Sequence, residues 1–363
     1  MKIGIDVSAA FGWRGPARST RNTVRALIRV DRENQYFLFA PGPTDEYFSK
    51  ADNVHQVCLP KTKGIPWLNF SLPIAARKYK LDLFFFPAND FWLWKPVKTV
   101  IAFRDGSYQL YPKQMFKNKF EELYFKLMMK RLPFIADGLV TVSKHSAALI
   151  SQNLKIPEDS VKVIYNGIDP VFFDGAVKAR DDLGPYILFV GGFEFRKNPE
   201  RLLAAFKALK SKGFRGRLVL VGSTASNPNL YVDIRKLIAG HGLEKDVKIA
   251  GKSSSDRDLA ALYKGAKLFV FPSIIESFGV PPLEAMACGC PVAASSAGAI
   301  PEVVGEAALL FDPYDIQDMA DKMGQILTNQ KLREGLIAKG KERIRLFSWE
   351  GSAKKLLEIF KTL

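Results

Sequence analysis

Short apolar runs alternate with amphipathic segments along the whole chain, and this alternation predicts the fold class. In the first half, the spacing between the runs predicts helices, such as one over about residues 19–30. A repeated strand–helix rhythm is typical of a mostly parallel, doubly wound α/β sheet. The strand-like runs of this half lie at 2–7, 36–40, 54–58, 81–86, 99–103, 138–142 and 161–165.

The rhythm stops between Asn166 and Pro185 and then starts again. Glycine and proline break that stretch, and it has no apolar face, so it predicts a boundary between two Rossmann-like domains. We expect the active site to lie in the cleft between them. After Pro313 the pattern becomes wholly helical. The strand-like runs of the second half lie at 186–190, 218–221, 247–250, 268–271, 291–294 and 308–311.

Length and charge narrow the choice of function. A chain of 363 residues is long enough for two cores, and 53 Lys and Arg against 37 Asp and Glu give a net charge of +16, which favours an anionic partner. The cations are scattered without a nucleic-acid-binding motif, so we expect diphosphate substrates or an anionic membrane face and no nucleic acid. The apolar runs are too short to span a bilayer, and the N-terminus enters a strand pattern at once, which predicts a cytoplasmic protein.

Cysteine and histidine do not form a metal-binding pattern. The three cysteines lack metal-type or disulfide spacing and are predicted to be small apolar residues, and the three histidines are isolated in sequence. The string Asp256-Arg257-Asp258 could hold a nucleotide-bound metal, but the serines before it favour a helix cap. We therefore predict no metal and no cofactor.

Two carboxylates, Glu276 and Glu284, stand in an apolar stretch that is punctuated by glycine and proline. Residues 268–271 form a short apolar run that suits a buried strand, and Pro281 and Pro282 suit the start of a helix. Glu276 is then expected in the loop after the strand and Glu284 in the first turn of the helix. Ligands of open α/β sheets bind beyond the carboxyl ends of the strands, where two acids suit a polyhydroxylated ligand.

A second motif joins a strand to a helix through Gly191 and Gly192. Arg196 and Lys197 follow just before Asn198-Pro199, which resembles a helix N-cap followed by proline. Fixed cations at a helix N-terminus can stabilise the charge that develops on a leaving diphosphate. The alternative is a pair of solvated surface cations.

These blocks closely resemble the retaining family-4 glycosyltransferases of the two-domain GT-B fold, which use nucleotide-sugar donors. The segment 271–292 resembles the family's Glu-x7-Glu region, 191–198 its glycine loop and Arg-Lys phosphate clamp, and 166–169 its interdomain linker. The resemblance covers residues 160–315 and, more loosely, the N-terminal half. It implies an acceptor-side domain of residues 1–168, joined by 347–363, and a donor-binding domain of residues 169–346.

The resemblance also implies roles for individual residues. Glu284 would bind the ribose hydroxyls, and Glu276 would lie beside the transferred hexose, surrounded by the amides of Ser277, Phe278 and Gly279. Glu276 could be a nucleophile, but the usual account of the family is a front-face departure, in which the leaving phosphate and the incoming hydroxyl meet on one side. We do not expect Glu276 to act as a base. The alternative for Glu284 is that it has no ligand and is simply a carboxylate that the helix dipole stabilises by about 0.3–1 kcal/mol.

Two segments depart from the family pattern. The loop 10–17 resembles the family's N-terminal glycine loop through Gly12 and Gly15, although these glycines could simply form a turn. It departs from the pattern at Pro16, where the family commonly has another glycine, so one possible amide donor is missing. Where many members carry His-Asp near the reaction centre, this chain has Arg104 and Asp105. Arginine cannot act as a base at neutral pH, so Arg104 is expected to anchor a hydroxyl or an acceptor anion. Asp105 is either an acceptor-side residue or a turn former.

Residues 113–131 predict a basic amphipathic helix. Its apolar positions fit either a membrane-binding face or a core helix with a solvated face, and the pattern leaves both open.

The expected function is transfer of a hexose, with mannose as the first choice, from a nucleoside-diphosphate sugar to a cell-surface or lipid-linked glycan. Contact with the inner face of the plasma membrane is expected to be peripheral. The alternatives are a GT-B sugar-nucleotide epimerase and a non-catalytic nucleotide- or glycan-binding relative.

Overall fold

The computed structural model describes residues 1–11, 15–44, 47–48, 51–59, 64–106, 118–222, 231–251 and 253–363. These residues form two compact units. Residues 1–167 together with 347–363 form the N-terminal unit, and residues 168–346 form the C-terminal unit. Each unit is built around one parallel sheet, so the predicted Rossmann-like architecture is confirmed.

The N-terminal unit contains a seven-stranded parallel sheet in the order β3-β2-β1-β4-β5-β6-β7. The strands lie within two residues of the runs that predict them. The five inner strands are largely buried and need a continuous apolar run, whereas the two edge strands are only partly buried. Their bounds are β1 Lys2–Asp6, β2 Gln35–Ala40, β3 Val54–Cys58, β4 Leu83–Phe86, β5 Lys98–Ala102, β6 Gly138–Thr141 and β7 Val161–Val163.

Five α-helices of the described chain flank this sheet. They are α1 Gly15–Val30, α2 Leu72–Lys78, which continues a π-helical turn at Trp67–Ser71, α3 Lys119–Ile135, α4 Lys144–Leu154 and the terminal helix Trp349–Thr362. Helix α1 begins four residues before its predicted start, because Pro16 occupies the first turn, where its missing N–H costs little. The terminal helix packs against α1. Its close approach requires Gly167, where a Cβ would lie 2.3 Å from the backbone nitrogen of Trp349.

The C-terminal unit contains a six-stranded parallel sheet in the order β10-β9-β8-β11-β12-β13. The strands are β8 Tyr186–Val190, β9 Arg217–Val221, β10 Val247–Gly251, β11 Leu268–Phe271, β12 Val292–Ser295 and β13 Ala308–Phe311. Between and after them come α5 Pro199–Ser211, α6 Ile234–His241, α7 Asp256–Gly265, α8 Val280–Ala287, α9 Ile300–Val304, α10 Ile316–Thr328 and α11 Gln330–Arg343; the terminal helix is α12.

The order of strands in the C-terminal unit determines where a ligand can enter. The chain runs from β8 to β9 and β10 on one side and returns to β11 on the other, so β8 and β11 are neighbours at the point where the order reverses. Loops that leave two such strands diverge and open a crevice at their carboxyl ends. The two motifs singled out in the sequence follow these two strands.

Candidate active site in the C-terminal unit

Two loops from neighbouring strands form the candidate site. The loop after β8 carries Arg196 and Lys197 in a 3-10 turn, and the loop after β11 carries Glu276. The backbone joins them, since the amide of Ile274 donates to the carbonyl of Arg196 at 2.8 Å. The structure therefore brings Glu276 next to Arg196 and Lys197, which lie 80 and 79 positions before it in sequence.

Glycine allows the backbones around these loops to approach closely. A Cβ on Gly222 would lie 1.9 Å from the carbonyl oxygen of Gly191. At Gly298, φ is +62°, and a Cβ there would lie 2.8 Å from the carbonyl oxygen of Glu276. Gly191 also lies against the side chain of Lys197. Any larger residue at Gly222 or Gly298 would push apart the loops that carry the charges.

The carboxylate of Glu276 bridges the two cations. Its Oε1 forms an ion pair with Nζ of Lys197, and it lies 3.5 Å from Nη1 of Arg196. The side chain of Lys197 is only 12% exposed, whereas Arg196 remains partly open to solvent. Lys197 is thus held in place by burial and by its partner, and Arg196 is the cation with more access to solvent.

Burial alone would raise the pKa of Glu276. The nearby charges of Lys197 and Arg196 have the opposite effect and hold the pKa of this carboxyl below its usual value. Glu276 is therefore ionised throughout the neutral range. In this arrangement the carboxylate of Glu276 neutralises Lys197 and Arg196, which would otherwise attract an anionic ligand.

A second carboxylate, Glu194, orients Arg196, and the sequence did not single it out. Its Oε2 lies 2.5 Å from Nε of Arg196, and its Oε1 accepts a hydrogen bond from the hydroxyl of Tyr231 at 3.0 Å. Glu194 and Tyr231 also form an isolated antiparallel bridge. The only sequence signal is that Glu194 lies two residues before Arg196; Tyr231 is far away in sequence and could not have been found from the motif.

The role predicted for Asn198 at the start of α5 needs correction. Its side chain makes no capping hydrogen bond: Oδ1 accepts from Nη1 of Arg201 at 3.4 Å, and Nδ2 donates to the carbonyls of Pro272 and Pro313 at 3.2 and 2.7 Å. Asn198 itself adopts a left-handed conformation with φ of 60°. The residue therefore ties the loop after β8 to the loops after β11 and β13, and Pro199 starts the helix without a side-chain cap.

Glu284 lies in α8, one residue beyond the first turn, because the helix begins at Val280 and not at Pro281. Its side chain is almost wholly buried, and its Oε2 accepts a hydrogen bond from the hydroxyl of Tyr263 at 3.1 Å. A buried carboxylate costs free energy unless it has partners, so Tyr263 both stabilises and orients it. Sequence reasoning did not single out Tyr263, which comes from α7.

Other predicted site residues that the structure describes lie in the loop before α8, after β8 and at the start of α1. Ser277, Phe278 and Gly279 connect Glu276 to α8, the Phe278 ring is buried, and Gly279 has φ of +92°. Gly192 lies against the ring of Tyr231. Gly15 is exposed at the start of α1, and Gly12 lies outside the described residues.

Arg104 makes its contacts within the N-terminal unit. Its amide and Nε bind Asn89 Oδ1 and the Pro87 carbonyl at 2.7 and 2.8 Å. Its Nη1 donates to Asn166 Oδ1 at 2.8 Å and to Ser19 Oγ. Burial lowers the pKa of Arg104 to about 10, which leaves it charged at neutral pH. The guanidinium thus joins α1, the loop after β4 and residue 166; its role toward a ligand, like that of the adjacent Asp105, stays a prediction.

The Asp256-Arg257-Asp258 string begins α7, as the capping interpretation predicts. Ser255 is the N-cap and accepts a hydrogen bond from the amide of Asp258 at 3.1 Å. Among the described residues, no group of three or more His, Cys, Asp or Glu is placed to hold a metal ion.

Sequence families match both units. The model of the glycosyltransferase family 4 domain matches residues 13–172, and that of the group 1 glycosyl transferases matches residues 174–343. The chain belongs to the group 1, family-4 glycosyltransferases. The second match contains the whole Lys197–Glu276–Arg196 cluster and Glu284.

Relatives and solved structures agree with this membership. The serotype-specific mannosyltransferase WbdA of Escherichia coli is 32% identical over 237 residues, which are 63% of this chain and 29% of WbdA. The O-antigen chain mannosyltransferase B of Escherichia coli is 35% identical over 179 residues, 49% of this chain and 46% of that protein. This chain therefore matches less than half the length of either relative.

The fold also matches that of Anabaena HepE, solved in complex with UDP and glucose, with a TM-score of 0.76 and 17% identity over all of both chains. At this level of identity the likeness concerns the fold alone. It confirms the predicted class, α/β with two Rossmann-like domains of the GT-B type.

We predict that Lys197→Ala weakens binding of a nucleoside diphosphate by roughly 100-fold, the loss of one charge-assisted contact in a buried site, and leaves binding of the free nucleoside nearly unchanged. Calorimetric titration measures both affinities. Lys207→Ala, which removes an exposed lysine of α5, is the matched control. Equal losses for nucleoside and nucleoside diphosphate would contradict the phosphate assignment.

Glu284→Gln should weaken the binding of a ribonucleotide by about tenfold and that of the corresponding 2′,3′-dideoxynucleotide far less. The reason is that an amide oxygen accepts a hydrogen bond from a hydroxyl more weakly than a carboxylate does. Tyr263→Phe keeps the carboxylate and removes its 3.1 Å hydrogen bond, so it should act in the same direction with a smaller effect. Competition binding compares the two nucleotides. Unchanged discrimination in Glu284→Gln removes Glu284 from the ribose site.

Arg104→Met should lower the free energy of unfolding by about 3 kcal/mol, because several buried acceptors lose their donor at once. Chemical denaturation measures the change. The control is Arg29→Met, whose exposed ion pair with Glu350 should contribute less than about 1 kcal/mol. If Arg104→Met leaves stability intact while it abolishes turnover, the contacts are incidental and Arg104 acts on a ligand.

Proposed function

We propose that the chain transfers a hexose from a nucleoside-diphosphate sugar to a glycan acceptor, with retention of anomeric configuration and without a metal ion. The observation that carries this proposal is the Lys197–Glu276–Arg196 cluster at the point where the strand order of the C-terminal unit reverses. Two cations and an ionised carboxylate there can serve the two ends of one donor, its diphosphate and its sugar.

The cations would stabilise the leaving diphosphate. As the bond between the sugar and the phosphate breaks, negative charge grows on the phosphate oxygens, and preorganised cations lower the free energy of that state. Lys197 is already held in position by burial, and Arg196 is oriented by Glu194, so little reorganisation is needed. The same cations supply the charge that a divalent ion would otherwise provide.

Glu276 would change partners when the donor binds. In the structure its Oε1 contacts both cations. A diphosphate that takes over those contacts leaves the carboxylate free to accept hydrogen bonds from hexose hydroxyls. Glu284, fixed by Tyr263, would accept from the ribose hydroxyls of the same donor.

Mannose from a GDP-linked donor is the first choice for the transferred sugar, because the two bacterial relatives are mannosyltransferases. HepE is a structural neighbour solved with UDP and glucose, so a UDP-linked hexose is the competing choice. For the acceptor we propose a cell-surface glycan, lipid-linked at an anionic membrane, since one relative acts on the O-antigen chain.

A panel of GDP-, UDP- and ADP-linked sugars tests this function. We expect one donor to raise the melting temperature and to release its nucleoside diphosphate when a matching acceptor is added, with the donor's anomeric configuration kept in the product. Glu276→Ala should bind the nucleoside diphosphate but turn over at background rate. Product formed without any acceptor would indicate an epimerase, and donor binding with a wild-type rate equal to that of Glu276→Ala would indicate a non-catalytic relative.

A further inference from the structure

Helix α3 of the N-terminal unit has two apolar faces. One face packs into the core through Met128, Met129, Leu132 and Ile135. The other consists of Phe120, Leu123, Leu127 and Phe134, which recur at intervals of three, four and seven residues and are all at least 46% exposed. That spacing places them in one stripe along the helix. A helix that only contributed to the core would have polar residues there.

A second exposed apolar strip lies on the helical segment formed by the π turn and α2. Phe70 and Ile74 are 63% and 64% exposed and lie one turn apart. Arg77 and Lys78 follow on the same side of this segment. Beside it, Trp94 is also exposed, and the guanidinium of Arg77 lies over its ring at 5.1 Å from the centroid.

Hydrogen bonds join these segments. Asn69 Nδ2 lies 3.0 Å from the hydroxyl of Tyr124 on α3, and Nε1 of Trp94 donates to the carbonyl of Asn69 at 3.1 Å. Nε of Arg131, near the end of α3, donates to the carbonyl of Leu93 at 3.2 Å. The exposed side chains therefore belong to neighbouring elements. We call them the apolar surface: Phe70, Ile74, Trp94, Phe120, Leu123, Leu127 and Phe134.

Positive charge accompanies this surface. The N-terminal unit has 28 Lys and Arg against 16 Asp and Glu, so it carries +12 of the +16 net charge. On α3, Lys119, Lys126 and Lys130 are exposed along one side of the apolar stripe, and Arg131 lies along the other. Glu122 partly offsets this through its ion pair with Lys126 at 2.6 Å.

We infer that the apolar surface docks on an anionic lipid bilayer. Large aliphatic and aromatic side chains can enter the interface between headgroups and acyl chains, while flanking cations bind the anionic headgroups. The tryptophan under an arginine suits the boundary between them. A soluble glycan would not require exposed phenylalanines on two helical segments. The inference deepens the proposed function, since the membrane is where a lipid-linked acceptor lies.

Co-sedimentation with vesicles tests the inference directly. Vesicles of phosphatidylcholine are compared with vesicles of equal parts phosphatidylcholine and phosphatidylglycerol, at rising salt and without any donor. We expect binding to the anionic vesicles and weak binding to the neutral ones. Raising the salt above physiological strength should weaken the binding, because screening acts over about 8 Å there.

Two matched pairs of variants separate the apolar and charge contributions. Phe120→Ser/Phe134→Ser should weaken vesicle binding by about tenfold or more, the effect of losing two large inserted side chains. Phe173→Ser/Leu346→Ser removes exposed apolar residues from the C-terminal unit and should leave binding unchanged. Lys119→Gln/Lys130→Gln should reduce only the binding to anionic vesicles, whereas Lys207→Gln/Lys331→Gln should not.

Three outcomes would overturn the inference. Wild type could show no preference for anionic vesicles, or both members of a pair could lose binding equally. Light scattering could also show a dimer that Phe120→Ser/Phe134→Ser dissociates, which would make the surface a contact between copies. Donor binding in solution is measured on the same variants and should not change. Vesicle binding without any binding of nucleotide sugars would contradict the proposed function and leave this inference standing.

Discussion

The candidate site depends on one interaction, the ion pair between Lys197 and Glu276. Each residue is buried and charged, and a buried charge without a partner would be strongly unfavourable. Lys197 therefore requires Glu276, which it shares with Arg196, although the lysine and the carboxylate follow different strands. Because β8 and β11 are paired directly, the two loops begin side by side and the pair can form. The glycines at 222 and 298 then matter as the positions that let these backbones approach closely around it.

An ion pair that stabilises the site in this way is also suited to being exchanged. The mutual attraction of Lys197 and Glu276 offsets the desolvation free energy of burying them. A ligand that brings its own anion can therefore replace the carboxylate as the partner of Lys197 with little net loss of free energy. Glu194 makes the exchange asymmetric, since Arg196 keeps this second carboxylate whichever anion occupies the Glu276 position. Lys197 has Glu276 as its ion-pair partner among the described residues. The affinity for phosphate should thus come mainly from Lys197, while Arg196 provides direction.

Much of this arrangement could be predicted from the sequence, because strand, glycine and helix follow one another locally. The strand bounds and the loop positions of Arg196, Lys197 and Glu276 required only apolar periodicity and turn residues. Tyr231, Tyr263 and the true contacts of Asn198 could not be predicted, since each acts across elements that are distant in sequence. The segment 113–131 shows a further limit. Its pattern fitted two interpretations, and the described part of the segment, residues 118–131, has a core face at Met128 and exposed apolar side chains at Phe120 and Leu127. Membrane binding by the exposed side chains stays a prediction.

Arg104 shows how a substitution within a family motif can be absorbed by the fold. A guanidinium is longer than an imidazole and has more donors, so it can reach several acceptors in its own unit. Here it binds the carbonyl of Pro87, Ser19 of α1 and Asn166. Their oxygens cannot be satisfied together by the one donor of a neutral histidine. The arginine is therefore accounted for by structure alone, and its presence is no sign that the site in the other unit has decayed. A ligand explains the burial of Lys197, Glu276 and Glu284 more readily than packing does. These three residues therefore remain the stronger indication of activity.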